Sequence, residues 1–290
     1  MGLVALATGL LLLPGASAPR EAVVVVTVEN MYRAPDDATD VVSQATLGQT
    51  VEVLEAGDAF LHVRTPDHYP GWLPRAALRC YADDATERYG EQGPLVEVTS
   101  LMANVYREPD VTRARPLLLA PLASRLELQA PGSEERWLGI RLPSGETGYI
   151  QRGDVKPVAP GARARSTTRQ VVATARRFLG VPYLWGGMTA HGIDCSGLAS
   201  RVYHANGVLL PRDADLQFVD PGLAPVALGR LRAGDLLFFG TDAGHVSHVG
   251  IHIGGGRFIS ATTYRTPLVR EDRLSDPHWS ALYLGARRPR

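Results

Sequence analysis

The 290-residue sequence contains only two cysteines, Cys80 and Cys195, and it has no excess of charge of either sign. Two cysteines exclude a small scaffold held together by disulfides. Lysine plus arginine equals aspartate plus glutamate, 30 of each, so no net field would attract nucleic acid or an anionic membrane. The histidines and carboxylates show no spacing typical of metal ligands. We therefore expect no nucleic-acid partner, no metal and no cofactor.

The sequence offers only a short apolar segment as a candidate membrane or export element. Residues 3–13 are apolar but too few to span a bilayer comfortably, so we expect no stable membrane span. Pro14-Gly-Ala-Ser-Ala18 follows, which is typical of a signal-peptide cleavage site, although no basic residue precedes Arg20. We expect residues 1–18 to be a signal peptide of an exported protein (periplasm, cell envelope or extracellular). The alternative is a cytoplasmic protein in which this run is a buried strand or helix.

Short strands separated by turns dominate the first part of the chain. Val51-Glu-Val-Leu-Glu and Phe60-Leu-His-Val-Arg alternate apolar and polar residues, as half-buried strands do. Turn-forming clusters separate such runs, which is typical of a small β-barrel. The hydrophobic content of 45% leaves ample material for a core, and the length suggests two or three domains.

The β-rich pattern occurs twice. Tyr32-Arg-Ala-Pro-Asp36 is matched by Tyr106-Arg-Glu-Pro-Asp110, and Gly71-Trp-Leu-Pro is echoed by Gly148-Tyr-Ile-Gln. Two copies indicate a duplicated domain rather than a solenoid, which needs three or more repeats. We expect the two domains to cover residues 21–80 and 95–158, with linkers at 80–94 and 158–168. Both copies resemble bacterial SH3-like domains.

The remainder of the chain, residues 168–290, mixes helical and strand patterns. A helix is expected over residues 169–179, capped by the preceding Ser/Thr residues. Strands are expected at 236–240, 248–253 and 257–262, with a tight turn at the three glycines 254–256. Helices followed by a meander of strands indicate an α+β domain. One face of the first helix is expected to carry Val172, Ala175, Arg176 and Leu179.

Cys195 occupies a position suited to a nucleophile. Leu198, Val202 and Tyr203 follow at helical spacing, so Asp194 is the expected N-cap and Cys195 falls in the first turn. The positive end of the helix dipole lies there and favours the thiolate. The alternative for a lone cysteine is a small buried hydrophobe. A candidate imidazole partner is supplied downstream by the segment HVSHVGIHIG.

Five motifs in one order identify a family resemblance. They are Tyr183-Leu-Trp-Gly-Gly, Asp194-Cys-Ser-Gly, Leu210-Pro-Arg-Asp-Ala, Gly234-Asp-Leu-Leu-Phe-Phe and His248-Val-Gly-Ile. Together they resemble the NlpC family of papain-like cell-wall cysteine peptidases, over roughly residues 168–288. The resemblance implies a multidomain protein: two small all-β SH3-like barrels followed by an α+β papain-like (NlpC-type) catalytic domain.

The resemblance also implies catalytic roles. Cys195 matches the nucleophile and His248 the base, while His245 is the second candidate for the base. Ser260 stands where the family commonly has His, Asn or Gln to orient the base; a hydroxyl accepts a hydrogen bond but is shorter and uncharged. His252 shares a strand face with His248, and His191 is expected at the surface.

Several positions match substrate-binding residues of the family. Asp194 corresponds to a carboxylate that holds a free amino terminus, and Tyr183 to a donor beside the nucleophile. Ser196 is a polar neighbour that faces the substrate in this interpretation. Arg212 and Asp213 are expected to pair with substrate charges or with each other, and Tyr69 is a further candidate contact. Three aromatic residues are expected in the core: Trp185, Phe238 and Phe239.

The implied activity is hydrolysis of γ-D-glutamyl-L-diamino acid bonds in peptidoglycan stem peptides, with preference for a free N-terminal L-Ala. Two alternatives remain open on the residues alone. One is a non-hydrolytic protein that binds cell-wall peptides, with Ser260 marking a lost activity. The other is an acyltransferase or amidase on the same fold.

Overall fold

The computed structural model describes residues 19–82, 84–130, 136–162 and 165–290. The segment expected to be a signal peptide, residues 1–18, lies outside the described residues. Within the described part of the chain, no helix is both long and apolar enough to cross a bilayer.

The first β-domain, here named barrel 1, is a seven-stranded antiparallel sheet. Its strands are β1 (Glu21–Val24), β2 (Val28–Tyr32), β3 (Val41–Thr46), β4 (Thr50–Ala56), β5 (Phe60–Arg64), β6 (Pro70–Pro74) and β7 (Leu78–Cys80). They pair in the order β3-β2-β6-β5-β4-β1-β7, so β3 is an edge strand. Alternate residues such as Leu61 and Val63 enter one buried cluster, as the two-residue period of a strand requires.

The second β-domain, barrel 2, repeats this arrangement. Its strands are β8 (Leu95–Val98), β9 (Met102–Tyr106), β10 (Leu118–Pro121), β11 (Arg125–Ala130), β12 (Trp137–Arg141), β13 (Thr147–Gln151) and β14 (Val155–Val158). The pairing order is β10-β9-β13-β12-β11-β8-β14, which is the order of barrel 1 strand for strand. The repeated motifs of the sequence therefore correspond to a repeated topology.

The segment between the barrels is packed against both of them. Tyr81 and Tyr89 are buried in a small cluster with Val23 of barrel 1. The Tyr89 hydroxyl donates a 2.8 Å hydrogen bond to the carbonyl of Arg141 in barrel 2. The expected linker therefore connects the two barrels by contact as well as by chain.

The C-terminal domain contains four helices and a six-stranded antiparallel sheet. The helices are α1 (Thr168–Arg177), α2 (Cys195–Ala205), α3 (Ala214–Val219) and α4 (Pro277–Leu282). A short hairpin, β15 (Met188–Thr189) and β16 (Gly192–Ile193), precedes α2. The sheet strands are β17 (Leu223–Val226), β18 (Leu236–Gly240), β19 (Val246–Gly254), β20 (Arg257–Thr262), β21 (Leu268–Arg273) and β22 (Tyr283–Pro289), in the order β17-β22-β18-β19-β20-β21.

The two faces of this sheet carry separate apolar clusters. Phe238 and Val249 lie in the cluster that contains Leu198 of α2. The neighbouring Phe239 lies in the second cluster, with Trp279 of α4. Successive residues of a strand point to opposite faces, so side chains of β18 and β19 are divided between the two clusters. The expected fold class, two SH3-like β-domains followed by an α+β domain, is confirmed.

Helix α1 shows one correct and one wrong prediction. A capping box closes its N-terminus: Thr167 Oγ1 accepts from the amide of Gln170, whose side chain accepts from the amide of Thr167. Of the expected face, Ala175 is buried and Val172 packs partly buried against the same core, but Arg176 is exposed and Val171, outside the expected face, is buried. Leu179 is exposed because the helix ends at Arg177.

Candidate functional site

Cys195 is the first residue of α2, and Asp194 is its N-cap as expected. The Asp194 carboxylate accepts a 2.7 Å hydrogen bond from the amide of Gly197. This bond satisfies one of the N–H groups that have no partner within the first turn of the helix. Gly197 has no room for a side chain, since a Cβ there would lie 2.3 Å from the carbonyl oxygen of Gly187. The close approach of the two glycines therefore packs the hairpin against the helix start.

The predicted stabilisation of the thiolate is not the net effect at Cys195. Burial, followed by the nearby Asp194 carboxylate, raises the pKa of the thiol to about 12. The backbone N–H of Val249 and the Arg212 guanidinium act in the opposite direction but do not compensate. The expectation from the helix dipole was wrong because desolvation of the sulfur is the larger contribution, and the resting residue is a neutral thiol.

His248 lies on β19 beside Val249, the residue whose amide faces the Cys195 sulfur. Its ring lies with the second apolar cluster, that of Phe239 and Trp279, whereas Val249 belongs to the first. It is stacked on Trp279 with ring centroids 4.9 Å apart and planes at 25°. Burial lowers the pKa of His248 to about 3, so the resting ring is a neutral imidazole. Among the described residues, no hydrogen bond joins this ring to the thiol, and its Nε2 atom is buried without a partner.

Ser260 does not hold the His248 ring in this structure. It lies on β20 and is fully buried, but its Oγ has no hydrogen-bond partner within the described part of the chain.

The other histidines occupy separate positions. His245 is exposed and its Nδ1 lies 2.9 Å from Asp242, while His191 is exposed as expected. His252 is buried on β19, where its Nδ1 pairs with the carbonyl of Arg232. Neither of these two contacts involves Cys195, whereas His248 is the strand neighbour of Val249, whose backbone N–H lies against the sulfur.

A buried ion pair lies directly before the thiol. Arg212 Nη2 donates to Asp194 Oδ2 at 2.6 Å and Nη1 to Oδ1 at 3.1 Å, a two-pronged contact. Arg212 Nη1 also donates to Ser196 Oγ at 2.9 Å. Its Nε donates to Ser43 Oγ of barrel 1 at 2.8 Å. Arg212 therefore pairs with Asp194 more closely than with Asp213, whose nearest carboxylate oxygen is 3.9 Å away.

Asp213 has a partner in barrel 1 instead. The Tyr69 hydroxyl donates a 2.8 Å hydrogen bond to Asp213 Oδ2. Burial raises the pKa of Asp213, whereas this hydrogen bond acts in the opposite direction. On the thiol side, Tyr183 packs against the α2 cluster, and burial, with the nearby Asp194 carboxylate, raises the pKa of its phenol. Both phenols are thus protonated donors at neutral pH.

Trp185 was expected in the core but is exposed, whereas Phe238 and Phe239 are buried as expected. Trp185 is 70% exposed, and its Nε1 donates to the carbonyl of Val41 on the edge strand of barrel 1, 3.1 Å away. The amide of Met188 likewise donates to Gln44 Oε1 on the same strand at 2.9 Å. Strand β3 therefore docks on the loop before Cys195.

Arg201, also on α2, contacts all three domains. Its guanidinium donates to the carbonyl of Met188, to the carbonyl of Leu122 in barrel 2 and to Oγ1 of Thr46 in barrel 1, at 3.1, 3.4 and 3.3 Å. Burial lowers its pKa to about 10, which still leaves it charged at neutral pH. This residue, like Ser43 and Trp279, carries no sequence signal that singles it out.

No group of three metal-binding side chains occurs within residues 19–290 where the structure is described. The candidate site comprises Cys195, His248 and the polar groups around Asp194, with barrel 1 as a neighbour.

Comparison with known proteins gives consistent results. The NlpC/P60 family matches residues 180–288, and the bacterial dipeptidyl-peptidase Sh3 domain matches residues 31–78. Dipeptidyl-peptidase 6 of Lysinibacillus sphaericus is 30% identical over 263 residues, covering 87% of this chain and 95% of the relative. Gamma-D-glutamyl-L-lysine dipeptidyl-peptidase of Bacillus cereus is 30% identical over 269 residues, covering 87% and 76%. The crystal structure of an NlpC/P60 family protein from Bacillus cereus superposes with a TM-score of 0.81 at 25% identity, covering 93% of this chain and 99% of that one.

Proposed function

The chain belongs to the NlpC/P60 family of cysteine peptidases, and on that premise we propose that it hydrolyses γ-D-glutamyl-L-diamino acid bonds in peptidoglycan stem peptides. One observation carries the proposal: Cys195 begins α2 with its sulfur against the backbone N–H of Val249, the neighbour of His248 on β19, and beside the Asp194–Arg212 pair that barrel 1 contacts. The names of relatives that match most of the chain support the same bond class.

In the proposed reaction, Cys195 Sγ attacks the γ-carbonyl carbon of the D-glutamyl residue. The thiol proton passes to His248 as the S–C bond forms, and His248 then protonates the amine as the C–N bond breaks. Water then attacks the thioester carbonyl carbon while His248 accepts its proton; the S–C bond breaks, and His248 returns the proton to Cys195 Sγ. Tyr183, a protonated phenol beside the sulfur, is the proposed donor to the oxyanion.

The resting thiol and imidazole are both neutral, so substrate binding has to accompany proton transfer. An imidazole with a low pKa is a weak base, and a thiol with a high pKa is a weak acid. When substrate is bound, negative charge moves from the sulfur to the oxygen of the attacked amide carbonyl. The Tyr183 hydroxyl donates to that oxyanion and stabilises it. We therefore expect slow thiol chemistry in the absence of substrate.

We propose that the free N-terminal amine of the substrate is held between Asp194 and Asp213. Asp194 alone is a poor counter-charge, because the Arg212 guanidinium already neutralises it. Asp213 adds a second carboxylate, and Tyr69 of barrel 1 fixes its orientation. Ser196 and Arg212 act in this proposal by positioning Asp194. A preference for an N-terminal L-Ala follows if the barrel leaves room for only a small residue.

The substrate places the proposed protein at the cell envelope or outside the cell, where peptidoglycan is found. This proposal is independent of the segment 1–18, which lies outside the described residues.

A specific observation favours one second function, a protein that binds cell-wall peptides without cleaving them. The His248 ring is joined to the thiol by no hydrogen bond, and Ser260 has no partner, within the residues that the structure describes. Such a site would bind the peptide through Asp194 and Asp213 without turnover.

The deciding experiment is incubation of the protein with L-Ala-γ-D-Glu linked to L-Lys or to meso-diaminopimelic acid. Release of L-Ala-γ-D-Glu by wild type and by Cys80→Ala, but not by Cys195→Ala, would establish the peptidase. Cys80 is the matched control because it is the other free cysteine and lies in barrel 1. Binding of the peptide with no release by wild type would reject hydrolysis in favour of the binding function.

A further inference from the structure

The His248 ring needs something that fixes its orientation, and this inference rests on the proposed role of His248 as the base. In many cysteine and serine hydrolases, a hydrogen bond to the second ring nitrogen performs this task. Here Nε2 is buried without a partner, and the Ser260 hydroxyl is unpaired as well, within the described part of the chain. A hydrogen-bonded orienting group is therefore replaced by another contact.

We propose that Trp279 positions the His248 ring by stacking on it. The two ring centroids are 4.9 Å apart and the planes differ by only 25°. On its own sheet, Phe239 is the cross-strand partner of His248, with its ring centroid 5.7 Å away and tilted by 51°. The imidazole thus lies against two aromatic rings, and these contacts set the plane in which its nitrogens lie.

Trp279 is itself held firmly enough to serve this purpose. Its side chain is 2% exposed, and it meets Phe258 edge-on at 5.3 Å and His278 edge-on at 4.7 Å. The short helix α4 that carries it begins with an N-cap, in which Asp276 accepts from the amide of His278. An indole fixed in this way transmits its orientation to the imidazole.

The same stacking leaves one freedom unspecified. A flat contact defines the plane of the imidazole but not the rotation of the ring within that plane. It therefore does not decide which ring nitrogen takes part in the proposed proton transfer. Trp279 Nε1 is also buried without a partner in the described residues, so it makes no directional bond that would choose between the two orientations. Trp279 therefore acts as a positioning residue and not as a catalytic one.

The test compares Trp279→Phe and Trp279→Leu with the matched variant Trp137→Leu. Trp137 is an equally buried tryptophan in barrel 2, where it meets Tyr106 edge-on, far from the thiol. Trp279→Phe keeps a flat ring and should retain kcat within about fivefold of wild type. Trp279→Leu should lower kcat by roughly 10- to 100-fold with little change in KM, since misplacement of a base costs about that much.

A second readout separates positioning from folding. NMR titration of the His248 ring should show its pKa rising by about one unit or more in Trp279→Leu, because the leucine leaves the ring better hydrated. The charge that acts on this ring besides its burial is that of His278 on α4. Trp137→Leu should leave the His248 titration unchanged even if it destabilises the protein.

An unchanged kcat and an unchanged His248 titration in a folded Trp279→Leu variant would overturn the proposal. If wild type shows no turnover, the proposed function fails, but the titration still decides whether Trp279 holds the ring. The two failures are therefore distinguishable.

Discussion

The two barrels share one topology but differ at the strand that meets the C-terminal domain. Strands β3 and β10 occupy the same place, since Ser43, Gln44 and Thr46 pair with β2 as Leu118, Leu119 and Pro121 pair with β9. In barrel 1 all three side chains accept hydrogen bonds: the Ser43 hydroxyl from Arg212, the Gln44 side-chain oxygen from the amide of Met188 and the Thr46 hydroxyl from Arg201. In barrel 2 they are apolar. The duplication thus preserved the fold, while polar side chains on one edge strand gave a single copy access to the site.

The largest expected effect concerns two cysteines, one in barrel 1 and one in the site. Iodoacetamide should alkylate Cys195 about tenfold faster for each pH unit between pH 7 and pH 10, because only the thiolate reacts and the pKa is raised to about 12. The half-buried Cys80 is the internal reference for reagent decay. Mass spectrometry of both sites would show the slope. A Cys195 rate that levels off near neutral pH would contradict the neutral thiol.

The next largest effect distinguishes the ion pair at the barrel 1 interface from an ion pair within barrel 2. Arg212→Gln leaves the buried Asp194 carboxylate without its partner and should reduce the free energy of unfolding by about 3–5 kcal/mol. The control is Arg113→Gln in barrel 2, whose pair with Asp110 is largely exposed, so its loss should change the free energy of unfolding little. Denaturant unfolding measures both. Equal losses in the two variants would mean that the barrel 1 interface has no special role.

A smaller effect tests the docking strand itself. Gln44→Leu gives barrel 1 the residue of barrel 2 and leaves the buried amide of Met188 unpaired, at a cost of about 1–3 kcal/mol. The reverse exchange, Leu119→Gln, changes a strand that does not meet the site and serves as the control. Thermal unfolding and KM for the tripeptide are the measurements. A larger KM increase for Leu119→Gln would reverse the assignment of the two barrels.

The smallest expected effect concerns the phenol of barrel 1. Tyr69→Phe removes one hydrogen bond to Asp213, so KM for a free-amine peptide should rise about fivefold, which corresponds to about 1 kcal/mol. Barrel 2 has Glu146 at the matching turn, and Glu146→Ala should leave KM unchanged. Peptides with an acetylated N-terminus should show no difference between Tyr69→Phe and wild type. A KM increase for the acetylated peptide too would exclude a contact with the amine.

Much of the architecture was readable from local pattern. The Asp194-Cys195 start of α2, the repeated barrels and strands β18 to β20 follow from spacing and turn residues that act over a few positions. Contacts across long separations were not readable. Trp185 was expected in the core because it is aromatic, yet its indole reaches the Val41 carbonyl, 144 residues away in sequence. The thiolate prediction failed similarly, because the helix dipole is a local property whereas burial depends on the whole fold.

The placement of Arg201 has a consequence for how the molecule can be divided. It lies nearly two turns beyond Cys195 on the same helix. Its guanidinium donates hydrogen bonds to both barrels and to the C-terminal domain. Cutting the chain at either linker would remove a barrel that contacts Arg201. The guanidinium, which is buried in the intact protein, would then be exposed to water. The helix that begins with Cys195 is thus the element at which all three domains meet.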